Sequence, residues 1–142
     1  MQAWPPGAHA STFGGNPVSC AAALATLELL RDHLMNNAAV VGAYLLEGLR
    51  ALAEKHPLVG DVRGRGLMVG VELVRDRQTK ERATLERDHV VTAAFERGLL
   101  VLGAGSNVIR FSPPLLFTKE QVDIAVRLFD EALTAVAAQH GR

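Results

Sequence analysis

Leu67-Met68-Val69-Gly70-Val71-Glu72-Leu73-Val74 is the stretch on which the fold turns. Leu67, Val69, Val71 and Leu73 fall on one face of an extended chain, and Met68, Gly70, Glu72 and Val74 on the other. A period of two with three valines predicts a strand, here one with both faces largely covered. Val59 to Arg65 leads into it. The glycines of Gly64-Arg65-Gly66-Leu67-Met68-Val69-Gly70 do not make a dinucleotide loop. That loop needs a helix N-terminus after it to hold a pyrophosphate, and here a strand follows. A bend and a close packing point are the reading that remains.

Toward the C-terminus, residues 75–84 are charged and polar and read as a surface connection. Leu85 to Arg97 predicts a helix with Val90, Val91, Ala94 and Phe95 inward and Gly98 as its stop. Leu99 to Leu102 reads as a short strand, 103–107 as a hairpin turn, and Val108 to Ser112 as a strand ended by Pro113-Pro114. Thr118 and Gln121 have capping-box spacing. The helix they open runs to about Gln139, with Val122, Ala125, Leu128, Phe129, Ala132, Leu133 and Val136 as its apolar stripe.

Toward the N-terminus, Leu34, Ala38, Val41, Leu45, Leu49 and Leu52 recur at steps of three and four. They predict a helix from about Leu34 to Ala53, weakened by Gly42 and Gly48 and ended by His56-Pro57. Before it, Asn16-Pro17 supplies an N-cap and a first-turn proline for a helix over 17–31. That helix is small or apolar on most sides, which calls for burial on more than one face, with Cys20 inside. Residues 1–15 read as a loop. The sum is an α+β domain, helices packed on a small sheet.

The chain has 142 residues, 49% of them hydrophobic and 21% charged, enough for one packed domain. Fifteen basic and fifteen acidic residues give zero formal net charge, so nothing favours nucleic acid. One cysteine excludes an internal disulfide. No stretch has the roughly 20 apolar residues of a membrane span, and Met1 to Gly7 does not read as a signal peptide. A cytoplasmic chain is the expectation.

Few residues carry chemistry. The five histidines do not cluster, so no metal site is expected; His9, in the glycine-rich loop, is the one to watch. Cys20 reads as a buried structural cysteine. Lys55, Lys80 and Lys119 read as solvent-facing, without the apolar setting that activates a lysine. Ser11 and Thr12 place hydroxyls just before a helix start, which suits a phosphate. On the residues alone, a turn stabilised by side-chain hydrogen bonds is somewhat favoured there. Arg110 stands opposite the face of Ile109 and Phe111, where a guanidinium can bind a carboxylate bidentately. A surface arginine or a structural ion pair is an equal alternative.

Three ordered stretches carry a resemblance. Gly7-Ala8-His9-Ala10-Ser11-Thr12-Phe13-Gly14-Gly15-Asn16-Pro17-Val18-Ser19-Cys20-Ala21-Ala22-Ala23 resembles a signature of the class-III aminotransferases that use pyridoxal phosphate. Val62-Arg63-Gly64-Arg65-Gly66-Leu67-Met68 and Asn107-Val108-Ile109-Arg110-Phe111-Ser112-Pro113-Pro114-Leu115 match two further stretches of that family. The likeness covers essentially the whole chain, and its flavour is nearest to 4-aminobutyrate aminotransferase. Ornithine and acetylornithine aminotransferases and amino-acid racemases of the same family compete with it.

The resemblance implies a fold-type-I enzyme whose large domain carries a Schiff-base lysine, a carboxylate facing the pyridine nitrogen and an aromatic stacked on the ring. Full members are about three times as long as this chain. Residues 1–16 would be the phosphate-loop remnant of the large domain, and 17–142 the linking helix and C-terminal small domain. Ser11 and Thr12 would then contact the cofactor phosphate across a homodimer interface, and Arg110 would hold the substrate carboxylate. No catalytic residue is implied within the chain. The expectation is a C-terminal piece of a pyridoxal-phosphate aminotransferase, taking an amino acid and a 2-oxo acid in the intact enzyme and inactive alone. A non-catalytic dimerisation module is the alternative of a different class.

Overall fold

The computed structural model describes residues 5, 7, 8 and 10–140, with the backbone only at position 140. Two compact units divide the chain, residues Met1–His33 and Leu34–Arg142.

The first unit contains helix α1, Pro17–Leu29. Asn16 caps it as its sequence predicts: Oδ1 accepts from the Val18 amide at 3.0 Å and the Ser19 amide at 3.2 Å. The expected burial of this helix is not found, because none of its residues is buried. Leu24, Leu27 and Leu29 are all exposed, Leu27 to 60%. Cys20 is likewise exposed, not the buried cysteine its alanine-rich setting suggests. A π-helical turn, Leu30–Leu34, follows in place of a break. No glycine or proline occurs there to interrupt the backbone ladder, and an extra residue per turn is absorbed instead.

The second unit is built on α2, Met35–Lys55, the hairpin β1, Val59–Arg65, and β2, Met68–Asp76, then β3, Glu81–Arg82, α3, Thr84–Glu96, β4, Leu102–Ala104, β5, Val108–Phe111, and α4, Lys119–His140. The strands pair antiparallel in the order β1-β2-β5-β4, with β3 on the far end of β2. The chain is therefore α+β, as the patterning indicates. The charged connection over 75–84 is in part strand, since β2 runs on to Asp76 and pairs with β3. The strand expected at Leu99–Leu102 lies later, over Leu102–Ala104, so the turn shrinks to residues 105–107 with Gly105 at φ +57°.

Side-chain alternation gives the sheet one covered face. Val62, Val69, Val71, Leu73, Ile109 and Phe111 are buried under the helices with Leu45, Leu49, Val90, Phe129 and Leu133. Phe129 of α4 meets Phe111 edge-on, with ring centroids 5.0 Å apart and an interplanar angle of 89°. The second face of β2 is more open than its apolar content suggests: Met68 is 63% exposed, although Val74 is buried. On α3, Phe95 is 67% exposed and Ala93 takes the inward place with Val90 and Ala94. The other helix ends follow the sequence. Gly98 adopts φ +87° after α3, and the Leu99 amide donates to the Ala94 carbonyl. Thr118 and Gln121 close the capping box, at 3.0 Å from the Thr118 amide to Oε1 and 3.3 Å from the Gln121 amide to Oγ1.

Two joints fix the sheet on the helices. A Cβ on Gly42 would stand 2.2 Å from the Gly66 carbonyl carbon, so the glycine that weakens α2 is what lets the hairpin turn touch it. The Arg77 guanidinium closes the passage from α2 to β1. Its Nη2 donates to the carbonyls of Ala53 and His56, and its Nε donates to that of Val59 at 3.1 Å.

Candidate functional site

Arg110 sits in the middle of β5, with Gly70 of β2 on one side and Leu102 of β4 on the other. Its chain neighbours Ile109 and Phe111 are buried, so the strand is anchored from behind and Arg110 projects from the open face. Among the described residues its guanidinium makes no hydrogen bond or ion pair. Arg63, one strand beyond Gly70, is the contrast. Its Nη1 is 2.7 Å from Asp61 Oδ2 and 2.7 Å from Glu72 Oε2. These two hydrogen bonds, with Asp61 the stronger, raise the Arg63 pKa, and Arg63 in turn holds the Glu72 carboxyl below its usual range.

Arg110 borders two hollows. One, of about 380 Å³, is apolar and lined by Leu45, Leu99, Val101, Phe111, Pro114 and Phe117. Pro113 and Pro114 end β5, and the segment after them is pinned to α2 by Asn37, whose Nδ2 donates to the carbonyls of Leu115 at 2.7 Å and Phe117 at 3.1 Å. The other hollow, of about 540 Å³, spreads over the open sheet face and includes Arg65, Met68, Gly70 and Val108. The arrangement offers one unspent cation at the rim of an apolar groove, which suits a carboxylate on a small organic acid.

Ser11 and Thr12 lie in the first unit, in the bend before α1, and both are exposed. Neither hydroxyl is hydrogen-bonded among the described residues. Asn16 already takes the Val18 and Ser19 amides, and the two hydroxyls are among the donors left next to this helix start. That set fits a phosphate group. His9 lies outside the described residues.

The lysines are spent or solvated. Lys55 Nζ is 2.6 Å from Asp130 Oδ2, and His56 Nε2 is 2.5 Å from Asp130 Oδ1. Lys55, then His56, holds the Asp130 carboxyl below its ordinary value. Lys119 lies 5.2 Å from the centroid of the Tyr44 ring, and Lys80 is exposed. Among the described residues no three His, Cys, Asp or Glu are grouped to hold a metal ion, and no helix is long and apolar enough to cross a membrane.

Sequence reasoning missed Asn37, which is unremarkable on a helix until its two carbonyl partners are known. It also passed over Arg65, although alternation along β1 from buried Val62 puts Arg63 and Arg65 on the face that Arg110 shares.

With the site defined, its kinship follows. Residues 1–133 match the family model of the class-III aminotransferases, and the chain belongs to that family. It is 49% identical over 127 residues to alanine–glyoxylate aminotransferase 2 homolog 2, mitochondrial, of Arabidopsis thaliana, covering 87% of this chain and 27% of that protein. It is 44% identical over 137 residues to the leucine/methionine racemase of Thermococcus litoralis, covering 96% of this chain and 31% of that one. Among solved structures, an amine transaminase from an uncultivated Pseudomonas species, in its PLP-bound form, superposes with a TM-score of 0.78 at 40% identity, over 92% of this chain and 29% of that one. The chain thus spans about three tenths of the length of the relatives it matches. The family implies pyridoxal phosphate in the intact enzyme.

Proposed function

We infer that this chain forms the carboxylate-recognition part, and one strip of the cofactor-phosphate site, of a pyridoxal-phosphate aminotransferase that moves an amino group from an amino acid to a 2-oxo acid. The observation that carries this reading is the uncommitted guanidinium of Arg110 on a strand anchored by Ile109 and Phe111. Burial of the strand's other face fixes the direction from which a carboxylate is met, and the apolar hollow that Arg110 borders offers a dry surface to the acid's apolar part.

Ser11 and Thr12 would hold the cofactor phosphate, and the bound cofactor supplies the electron sink for the reaction. In this reading residues 1–16 belong to the cofactor loop and 17–142 to the linking helix and small domain. The exposed apolar residues of α1 support a homodimeric assembly that covers them. The amino donor is drawn from the class that includes 4-aminobutyrate, ornithine and acetylornithine. Kinship with a racemase supports a second reading, in which the same carboxylate grip serves epimerisation of an amino acid. The reaction would take place in the cytoplasm.

The cofactor lysine lies outside this chain in the present reading. Incubation with pyridoxal phosphate, borohydride reduction and intact mass therefore give no stoichiometric adduct. An adduct mapped to Lys55, Lys80 or Lys119 overturns the reading. Phosphate binding is tested separately, with Thr12→Ala expected to weaken the affinity of the assembled enzyme for the cofactor.

A further inference from the structure

The bulge at the root of the hairpin makes a hollow that the Arg110 site does not use. β1 slips its pairing with β2 between Val59 and Asp61, which leaves Gly60 out of register. A Cβ on Gly60 would stand 2.7 Å from Val74 Cγ2, and Val74 is buried although it shares the open face of β2 with Glu72. Gly60 and Val74 supply the uncharged surface of a hollow of about 330 Å³, and Asp61, Glu72, Arg77 and Lys80 supply the charged surface. It shares no lining residue with either hollow that Arg110 borders.

Both signs of charge are present here, and neither is spent. Asp61 and Glu72 have one cation between them: Arg63 Nη1 donates to Asp61 Oδ2 and to Glu72 Oε2. Arg65, two residues on, makes no hydrogen bond or ion pair among the described residues. One negative charge is therefore in excess. The Arg77 guanidinium is bound to backbone carbonyls, which satisfy its N–H groups and leave its charge unbalanced. Lys80 makes no hydrogen bond or ion pair among the described residues. It adopts φ +58°, at the end of a turn in which the Gln78 and Thr79 amides donate to Asp76 Oδ1. A purely anionic guest meets Asp61 and Glu72, and a purely cationic one meets Arg77 and Lys80. A molecule with an ammonium and a carboxylate a few atoms apart suits both sets. We propose that this hollow binds the zwitterion of a small α-amino acid, its ammonium on Asp61 and Glu72 and its carboxylate on Arg77 and Lys80. Ligand pockets run from roughly 300 to 1,000 Å³, and a volume at the small end matches a guest of that size. The proposal does not depend on what Arg110 binds.

The test titrates the full 142-residue chain with glycine, and with acetate and methylammonium at the same ionic strength, following the backbone amides of Gly60, Asp61 and Lys80 by NMR. Glycine is expected to bind about two- to fivefold more tightly than either single-charge ion, the worth of one exposed ion pair. Lys80→Gln and Asp61→Asn each lower glycine affinity by about that factor, Lys80→Arg keeps it, and Arg110→Gln leaves it unchanged. Acetate or methylammonium matching glycine overturns the proposal, as does unchanged glycine affinity in Lys80→Gln or in Asp61→Asn. Loss of the Gly60 and Lys80 shifts in Arg110→Gln also overturns it, by placing the bound glycine in an Arg110 hollow.

Discussion

Helices α1 and α4 are both rich in apolar residues, yet they stand in opposite relation to their surroundings. On α4 the apolar residues are gathered at Val122, Ala125, Phe129, Ala132, Leu133 and Val136, and all of these are buried. On α1 they are spread round the axis and none is buried. A stripe is completed by cover on one side, here from α2, α3 and the sheet, whereas an all-round apolar helix needs cover on several sides. The contrast teaches that apolar content measures a demand for burial and that the pattern says on how many sides it must be met.

The largest way to break this comparison is to empty the two helices in turn. Phe129→Ala removes the ring that backs Phe111, and about 3–5 kcal/mol of stability should go with it in urea unfolding. Leu27→Ala, at an exposed site, should cost under about 0.5 kcal/mol in the same assay. A Leu27 loss comparable to the Phe129 loss would show that α1 is covered within the monomer.

A smaller effect sharpens the comparison at the helix starts. Asn16→Ala takes away the acceptor for two amides, and about 1 kcal/mol of local helix stability is expected to go with it. Hydrogen exchange should quicken in the first turn of α1 and leave α4 unchanged, because α4 has its own capping box. Quickened exchange in both helices would contradict the division into two units.

The smallest effect is confined to acid. The folded chain holds the Asp130 carboxyl below its ordinary value, so the unfolded chain binds that proton more readily. Its contribution is present above about pH 3.9 and is lost as pH falls through the folded value. Lys55 is more than half exposed, which limits how much its share is worth. Asp130→Asn should flatten the acid limb of a stability–pH curve. An unchanged limb would assign it to other carboxylates, with Glu72 the first to test.

Features set by neighbours in sequence were legible. Asn16-Pro17, Thr118 with Gln121, Gly98 and the alternation through Val69, Val71, Ile109 and Phe111 all rest on local geometry, and each is found in place. Features set by distant partners were not. A strand of two residues such as Glu81–Arg82 carries no period, and only its pairing with β2 defines it. The exposure of Phe95, Met68 and Cys20 depends on what covers them, which no local pattern states. Of the candidate site, the outward direction of Arg110 could be read from alternation. The saturation of Arg63 and the freedom of Arg65 could not, because they depend on Asp61 and Glu72 meeting one guanidinium across a bulged pairing.

The Arg77 guanidinium has a consequence for how this unit opens. The final turn of a helix ordinarily frays first, since its last carbonyls lack partners. Here the carbonyls of Ala53 and His56 are held by a side chain that lies just past the end of β2, and the same side chain holds Val59 at the start of β1. Fraying of α2 therefore loosens the root of the hairpin as well, and helix end and hairpin exchange with solvent as one cooperative piece.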